Sequence, residues 1–119
     1  MTKVKENVSL LNLSNYKIGG PARFLFVAKT EQDISEGIKL AKAKRQKIFI
    51  LGGGTNLLIS DKGFPGFVIK PDLDFKSKNE QKATVGAGTL ISELLNFTIK
   101  NKFSGFEWAG GLPGTVGGA

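Results

Sequence analysis

The sequence predicts an α+β domain, and three observations carry that expectation. Short apolar runs rich in strand formers are separated by glycine-rich turns. Two stretches place apolar residues at helical spacing. The two kinds of element alternate without the regular rhythm of βαβ units. At 119 residues, with 40% hydrophobic and 23% charged residues, the composition is that of one modest globular domain.

Residues 1–14 are polar and weakly patterned and read as a loose N-terminal arm. Ile18-Gly19-Gly20-Pro21 is a turn signal, and Ala22-Arg23-Phe24-Leu25-Phe26-Val27-Ala28 is a strand. Thr30 stands at a helix N-cap, with Asp33 three residues on and Glu31 in the first turn. Ile34, Ile38 and Ala41 then share one helical face. Lys42, Lys44, Arg45 and Lys47 gather at the far end, where the helix dipole favours cations.

Ile48 to Leu51 reads as a buried strand, followed by Gly52-Gly53-Gly54-Thr55-Asn56 and a second apolar run, Leu57-Leu58-Ile59. Residues 61–66 form a turn and Phe67-Val68-Ile69 another strand. Residues 71–82 are an exposed connection, and Ala83-Thr84-Val85 a short strand running into Gly86-Ala87-Gly88. A second helix is predicted from a Thr89 cap to about Asn101 or Lys102, carrying Leu90, Ile91, Leu94, Leu95 and Phe97. Glycine dominates from Gly105 onward.

Composition removes several function classes. With no cysteine and no histidine, the chain has no thiolate nucleophile, no imidazole base and none of the usual zinc ligand sets. Reactive groups must then come from a cofactor or from residues outside the chain. The net charge of +7 is diffuse: all but Arg23 and Arg45 of the 17 basic residues are lysines, spread along the chain. Such a distribution suits a solvated face or phosphorylated small molecules better than base readout, so no nucleic-acid partner is expected. The longest apolar run falls far short of the roughly 20 residues a membrane span needs. The first residues lack the pattern of a secretory signal, so a cytoplasmic location with no membrane partner is expected.

The strongest local signal is Leu51 to Leu57. Three glycines remove side chains, so a ligand can lie on the backbone, and successive N–H groups can converge on an anion. Thr55 and Asn56 add a hydroxyl and an amide. A plain flexible turn between strands is the equal alternative. The segment is neither a Walker loop, since no Gly-Lys-Ser/Thr follows, nor a dinucleotide fingerprint, since Leu57 stands where the last glycine belongs. Gly86-Ala87-Gly88 fails the same test at Ile91 and reads as a strand-to-helix turn. In the tail, Pro113 can open a helix whose N–H groups face an anion. Phe106, Trp108, Leu112 and Val116 favour an ordered, buried loop over a disordered terminus.

Gly105-Phe106-Glu107-Trp108-Ala109 followed by Gly111-Leu112-Pro113-Gly114-Thr115-Val116-Gly117-Gly118-Ala119 resembles the signature of the UDP-N-acetylenolpyruvoylglucosamine reductase (UDP-N-acetylmuramate dehydrogenase) family. Asn15-Tyr16-Lys17-Ile18-Gly19-Gly20-Pro21-Ala22, Leu51 to Leu58, and Val85-Gly86-Ala87-Gly88 resemble further segments of that family, in the same order and spacing. Leu112, where isoleucine is more usual, is a mild departure.

The resemblance covers residues 15–119 and implies an FAD-binding domain of the vanillyl-alcohol-oxidase (PCMH) type, with the first of its two lobes complete and the second only begun. It implies FAD held non-covalently by Gly52, Gly53, Gly54, Thr55, Asn56 and Leu57, with Leu112, Pro113, Gly114, Thr115, Gly117 and Gly118 along its other side. It further implies NADPH as reductant and a UDP-sugar enolpyruvyl ether as substrate, giving the cell-wall precursor UDP-N-acetylmuramate. The family's catalytic serine, arginine and glutamate fall beyond Ala119. No catalytic residue is therefore assigned, and Arg23, Glu93, Glu107 and the serines match no catalytic position. The chain reads as a fragment or truncated gene product, expected to bind FAD weakly or not at all and to show no turnover alone. A different flavoprotein oxidase or dehydrogenase of the same fold is the nearest alternative; a small basic binding module is the more distant one.

Overall fold

The apolar run at residues 22–28 builds the centre of the molecule. In the computed structural model, which describes residues 4–55 and 57–119, it becomes β2 (Pro21–Ala28). The sheet order is β1-β2-β4-β3, with β1 (Lys5–Ser9), β3 (Ile48–Ile50) and β4 (Phe64–Pro71). β1 pairs antiparallel with β2, whereas β2–β4 and β4–β3 are parallel. β2 and β4 are covered on both faces, which is why both read as near-continuous apolar runs.

Each face of the sheet has its own core. On one, Phe24, Phe26, Phe67 and Ile69 pack under α1 (Glu31–Ala43), which contributes Ile34, Ile38 and Ala41. The Phe24 and Phe67 rings stack with centroids 5.9 Å apart. On the other face, Leu10, Leu25, Leu51, Ile59 and Val68 are closed over by loops instead of a helix. α1 starts at the expected capping box: Asp33 N–H donates to Thr30 Oγ1 at 3.0 Å, and Thr30 N–H donates to Asp33 Oδ2 at 3.2 Å. A cap of this kind contributes about 1 kcal/mol.

Beyond β4, a hairpin of β5 (Lys76–Asn79) and β6 (Lys82–Val85) leads to α2 (Ile91–Lys100). The radius of gyration, 15.9 Å, exceeds the roughly 13–14 Å of a compact domain this size. The second section therefore extends the sheet body rather than enclosing it. No helix among the described residues is long and apolar enough to cross a membrane.

Four expectations are corrected. Residues 5–9 of the predicted loose arm form β1, whose backbone pairs with the edge of β2 although only Val8 of the five is apolar. The strand at Ile48–Ile50 is exposed, because it is an edge strand of the sheet; only Leu51, past its end, is buried. The connection at 71–82 is exposed apart from the buried Leu73, and it contains β5. Thr89 does not cap α2: Leu90 holds that position without a side-chain cap. Thr89 is instead fully buried, and its hydroxyl donates to Asp74 Oδ1 at 3.3 Å.

Candidate functional site: a groove between two glycine segments

The Gly52–Thr55 loop leaves the exposed end of β3 and crosses over the loop-covered face of the sheet. Its shape is set by the segment before β2. Gly54 has φ of +70°, and a Cβ there would collide with the carbonyl of Leu13. Only glycine suits both constraints. Asn15 N–H donates to the Gly54 carbonyl at 2.9 Å, and the buried Ser14 Oγ donates to the Leu57 carbonyl at 2.7 Å. From below, Lys70 Nζ donates to the Gly52 carbonyl at 3.1 Å. The loop's carbonyls at 52, 54 and 57 are thus engaged by protein groups.

Its N–H groups are not. Among the described residues, no acceptor takes the N–H of Gly52, Gly53, Gly54 or Thr55, although Gly54 is buried. A buried backbone donor without a partner is uncommon. Gly53 is exposed and Gly52 and Thr55 partly so, and successive backbone N–H groups without a protein acceptor can converge on an anion.

The tail faces this loop. Residues 114–117 are stitched to the start of α2 and the turn before it by Ile91 N–H to Gly114 O at 3.0 Å, Val116 N–H to Thr89 O at 2.9 Å and Gly117 N–H to Ala87 O at 2.9 Å. A Cβ placed on Gly53 would lie 3.3 Å from Gly114 Cα, and one on Gly52 would lie 3.6 Å from Thr115 Oγ1. Side chains at these glycines would close the space between the segments. What remains is a groove of about 200 Å³ lined by Gly52, Gly53, Gly54, Thr55 and Leu57 on one side and Pro113, Gly114, Thr115 and Gly118 on the other.

Most of the sequence-predicted site residues therefore meet, although the two segments lie about 60 positions apart in the chain. Gly117 lines an adjoining hollow with Gly52 and Ala87. Leu112 is placed in a separate apolar hollow with Leu95 and Trp108. Asn56 lies outside the described residues. Two expectations for the tail change. Pro113 does not open a helix; the single helical turn begins at Val116, and the backbone before it is extended. The tail is ordered by its hydrogen bonds, yet Phe106, Trp108 and Leu112 are exposed. Ser14 and Lys70 escaped the reading of the sequence. Ser14 directly precedes a recognisable segment, whereas Lys70 has no local signal among so many lysines.

Residues 22–119 match the family model described as FAD binding domain. The chain belongs to that family. This FAD-binding domain is 42% identical over 113 residues to the UDP-N-acetylenolpyruvoylglucosamine reductase of Treponema denticola, an alignment covering 90% of the chain and 35% of that protein. It is 40% identical over 119 residues to the reductase of the same name from Bacillus licheniformis, covering 98% of the chain and 39% of the relative. The crystal structure of UDP-N-acetylenolpyruvylglucosamine reductase from Thermus caldophilus superposes with a TM-score of 0.77 at 32% identity, over 100% of this chain and 41% of that one. The FAD-binding domain thus spans a little over a third of the length of these proteins, and its α+β fold is of the PCMH type.

The groove fits one part of an FAD molecule. Sites that enclose whole drug-sized ligands run from about 300 to 1,000 Å³. At about 200 Å³, with glycine backbone and the Thr55 and Thr115 side chains on its walls beside the apolar Phe49, Ile50 and Leu51, the groove has room for part of such a ligand and offers backbone donors to a phosphate.

Proposed function

We propose that Gly52, Gly53, Gly54 and Thr55, with Asn56 and Leu57, hold the pyrophosphate of a non-covalently bound FAD. Pro113, Gly114, Thr115 and Gly118 flank it across the groove, with Gly117 and Leu112 beside them. The observation that carries this reading is the run of N–H groups from Gly52 to Thr55 that no acceptor takes among the described residues, with Gly54 itself buried, opposite a second glycine segment. Backbone donors of this kind recognise phosphate without a basic side chain in the loop.

We infer that the domain is part of a reductase of UDP-N-acetylenolpyruvoylglucosamine, a reading the relatives' names support. NADPH as reductant, UDP-N-acetylmuramate as product and a place in peptidoglycan synthesis are what the family resemblance adds to it. A cytoplasmic location belongs to the same reading. When bound, FAD supplies hydride acceptance and donation. These residues bind and orient it; the serine, arginine and glutamate that the resemblance implies for the chemistry are assigned to no position within residues 1–119. We expect the 119-residue chain to bind FAD weakly and to oxidise no NADPH with the enolpyruvyl substrate.

The test is amide NMR of the isotopically labelled chain titrated with FAD, ADP and riboflavin. FAD and ADP, which share a pyrophosphate, should shift the amides of Gly52–Thr55, Gly114 and Thr115 in fast exchange, while riboflavin leaves Gly52–Thr55 unmoved. No response of these amides to millimolar FAD or ADP, or an equal response to riboflavin, contradicts the pyrophosphate assignment. A yellow protein that keeps stoichiometric flavin through desalting contradicts weak binding.

A further inference from the structure

Lys70 is the one cationic side chain recorded as hydrogen-bonded to the glycine loop among the described residues, and no motif pointed to it. It lies on β4 two residues after Val68, whose side chain packs in the loop-covered core. That alternation carries Lys70 toward the glycine loop, away from α1. It is half-buried, and its Nζ donates to the Gly52 carbonyl at 3.1 Å. Among the described residues no carboxylate lies within salt-bridge distance of it; both recorded ion pairs belong to Lys76. An ammonium has three donors, and one is engaged here.

We propose that Lys70 is an electrostatic and positioning residue for the pyrophosphate of the dinucleotide. The inference rests on the assignment of the groove to that group. Two effects follow from the geometry. Holding the Gly52 carbonyl keeps this part of the loop in the conformation that leaves its N–H groups unclaimed. The half-buried positive charge also stands one hydrogen bond from the loop, where water screens it less than it would an exposed lysine. The backbone donors then supply direction and Lys70 supplies the charge that the loop itself lacks.

The test compares the wild-type chain with Lys70→Met, Lys70→Arg and Lys100→Met, the last changing the same charge at the C-terminal end of α2. Binding of FAD, ADP and riboflavin is followed by amide NMR at low and moderate salt. Lys70→Met should weaken FAD and ADP binding about threefold to tenfold and flatten its dependence on NaCl between about 50 and 300 mM. Lys70→Arg should restore most of the affinity and Lys100→Met should leave it unchanged. A lysine that only held the loop in shape would weaken ADP binding without altering its salt dependence.

If wild type responds to ADP and Lys70→Met binds it equally, with the same salt dependence, the inference about Lys70 fails while the loop assignment stands. If wild type itself responds to neither FAD nor ADP, the loop assignment fails first. Should Lys70→Met not fold, the side-chain carbon next to Nζ of Lys70 is observed in wild type. Its resonance should move with ADP and stay fixed with riboflavin; a resonance indifferent to ADP overturns the proposal.

Discussion

The strands β2 and β4 and the two glycine segments organise the molecule by opposite means. In β2 and β4 the side chains define the structure: Phe26, Phe67 and Ile69 are fully enclosed, and the two parallel strands are covered on both faces. In the groove the backbone defines it. Gly52–Thr55 is held through its carbonyls, residues 114–117 through a short ladder to the start of α2 and the turn before it, and the large apolar residues of the tail stay exposed. Stability is thus concentrated where side chains interdigitate, and the groove proposed to bind the dinucleotide lies where they have been removed. A cradle for phosphate needs close approach to backbone N–H groups, and a Cβ at Gly53 or Gly54 would intrude on the Gly114 or Leu13 backbone.

The largest effect should come from the sheet. Replacing Phe26 with Ala empties a site closed by Phe67, α1 and β4, where Gly37 of α1 approaches so nearly that a Cβ would lie 2.9 Å from the Phe26 ring. Phe→Ala substitutions in such sites cost about 3–5 kcal/mol, against total stabilities of about 5–15 kcal/mol for small domains. Urea denaturation followed by circular dichroism should show a midpoint shift of that size, or no folded baseline. A loss below 1 kcal/mol would mean that this core does not dominate stability.

Gly54→Ala probes the opposite regime. The left-handed backbone at φ +70° costs an alanine about 1–3 kcal/mol, and the new Cβ must also displace the Leu13 carbonyl. Since Asn15 N–H is bound to the Gly54 carbonyl, its amide resonance should shift in the variant together with those of Gly52 and Gly53. The substitution should cost less stability than Phe26→Ala yet abolish the ADP response. A variant that retains the response would show that the loop tolerates a side chain, and the division between the two regions would weaken.

Features governed by neighbours in sequence were legible; those governed by the arrangement of elements were less so. The Thr30 cap, the Ile34, Ile38 and Ala41 face and the strands at 22–28 and 67–69 follow from local chemistry, and the structure has them. β1 was illegible because its pairing is a backbone interaction with an available edge, which five mostly polar residues accept as readily as apolar ones. β3 was misjudged for a related reason. Its apolar run signals burial, but being the last strand in the order is a property of the sheet. Thr89 has the composition of a cap, but Gly86 and Gly88 donate to Phe75 and Leu73, and this crossing buries the hydroxyl beside Asp74. Of the groove, the glycine segments were visible as two separate stretches. Their convergence was implied by the resemblance, whereas the contributions of Ser14 and Lys70 required the folded backbone.

The smallest expected effect tests whether the tail adds to stability in this chain at all. Trp108 is the only tryptophan and is 74% exposed, on a single helical turn beside Phe106 and Leu112. Burial of an aromatic side chain is what makes it stabilising, so its removal here takes little apolar surface out of contact. Trp108→Ser should therefore change stability by no more than about 0.5 kcal/mol, as surface substitutions do. The substitution removes the fluorophore, so far-ultraviolet circular dichroism in urea is the appropriate readout. A cost above about 1 kcal/mol would place the ring in a stabilising contact and give the tail a share of the side-chain packing that otherwise belongs to β2 and β4.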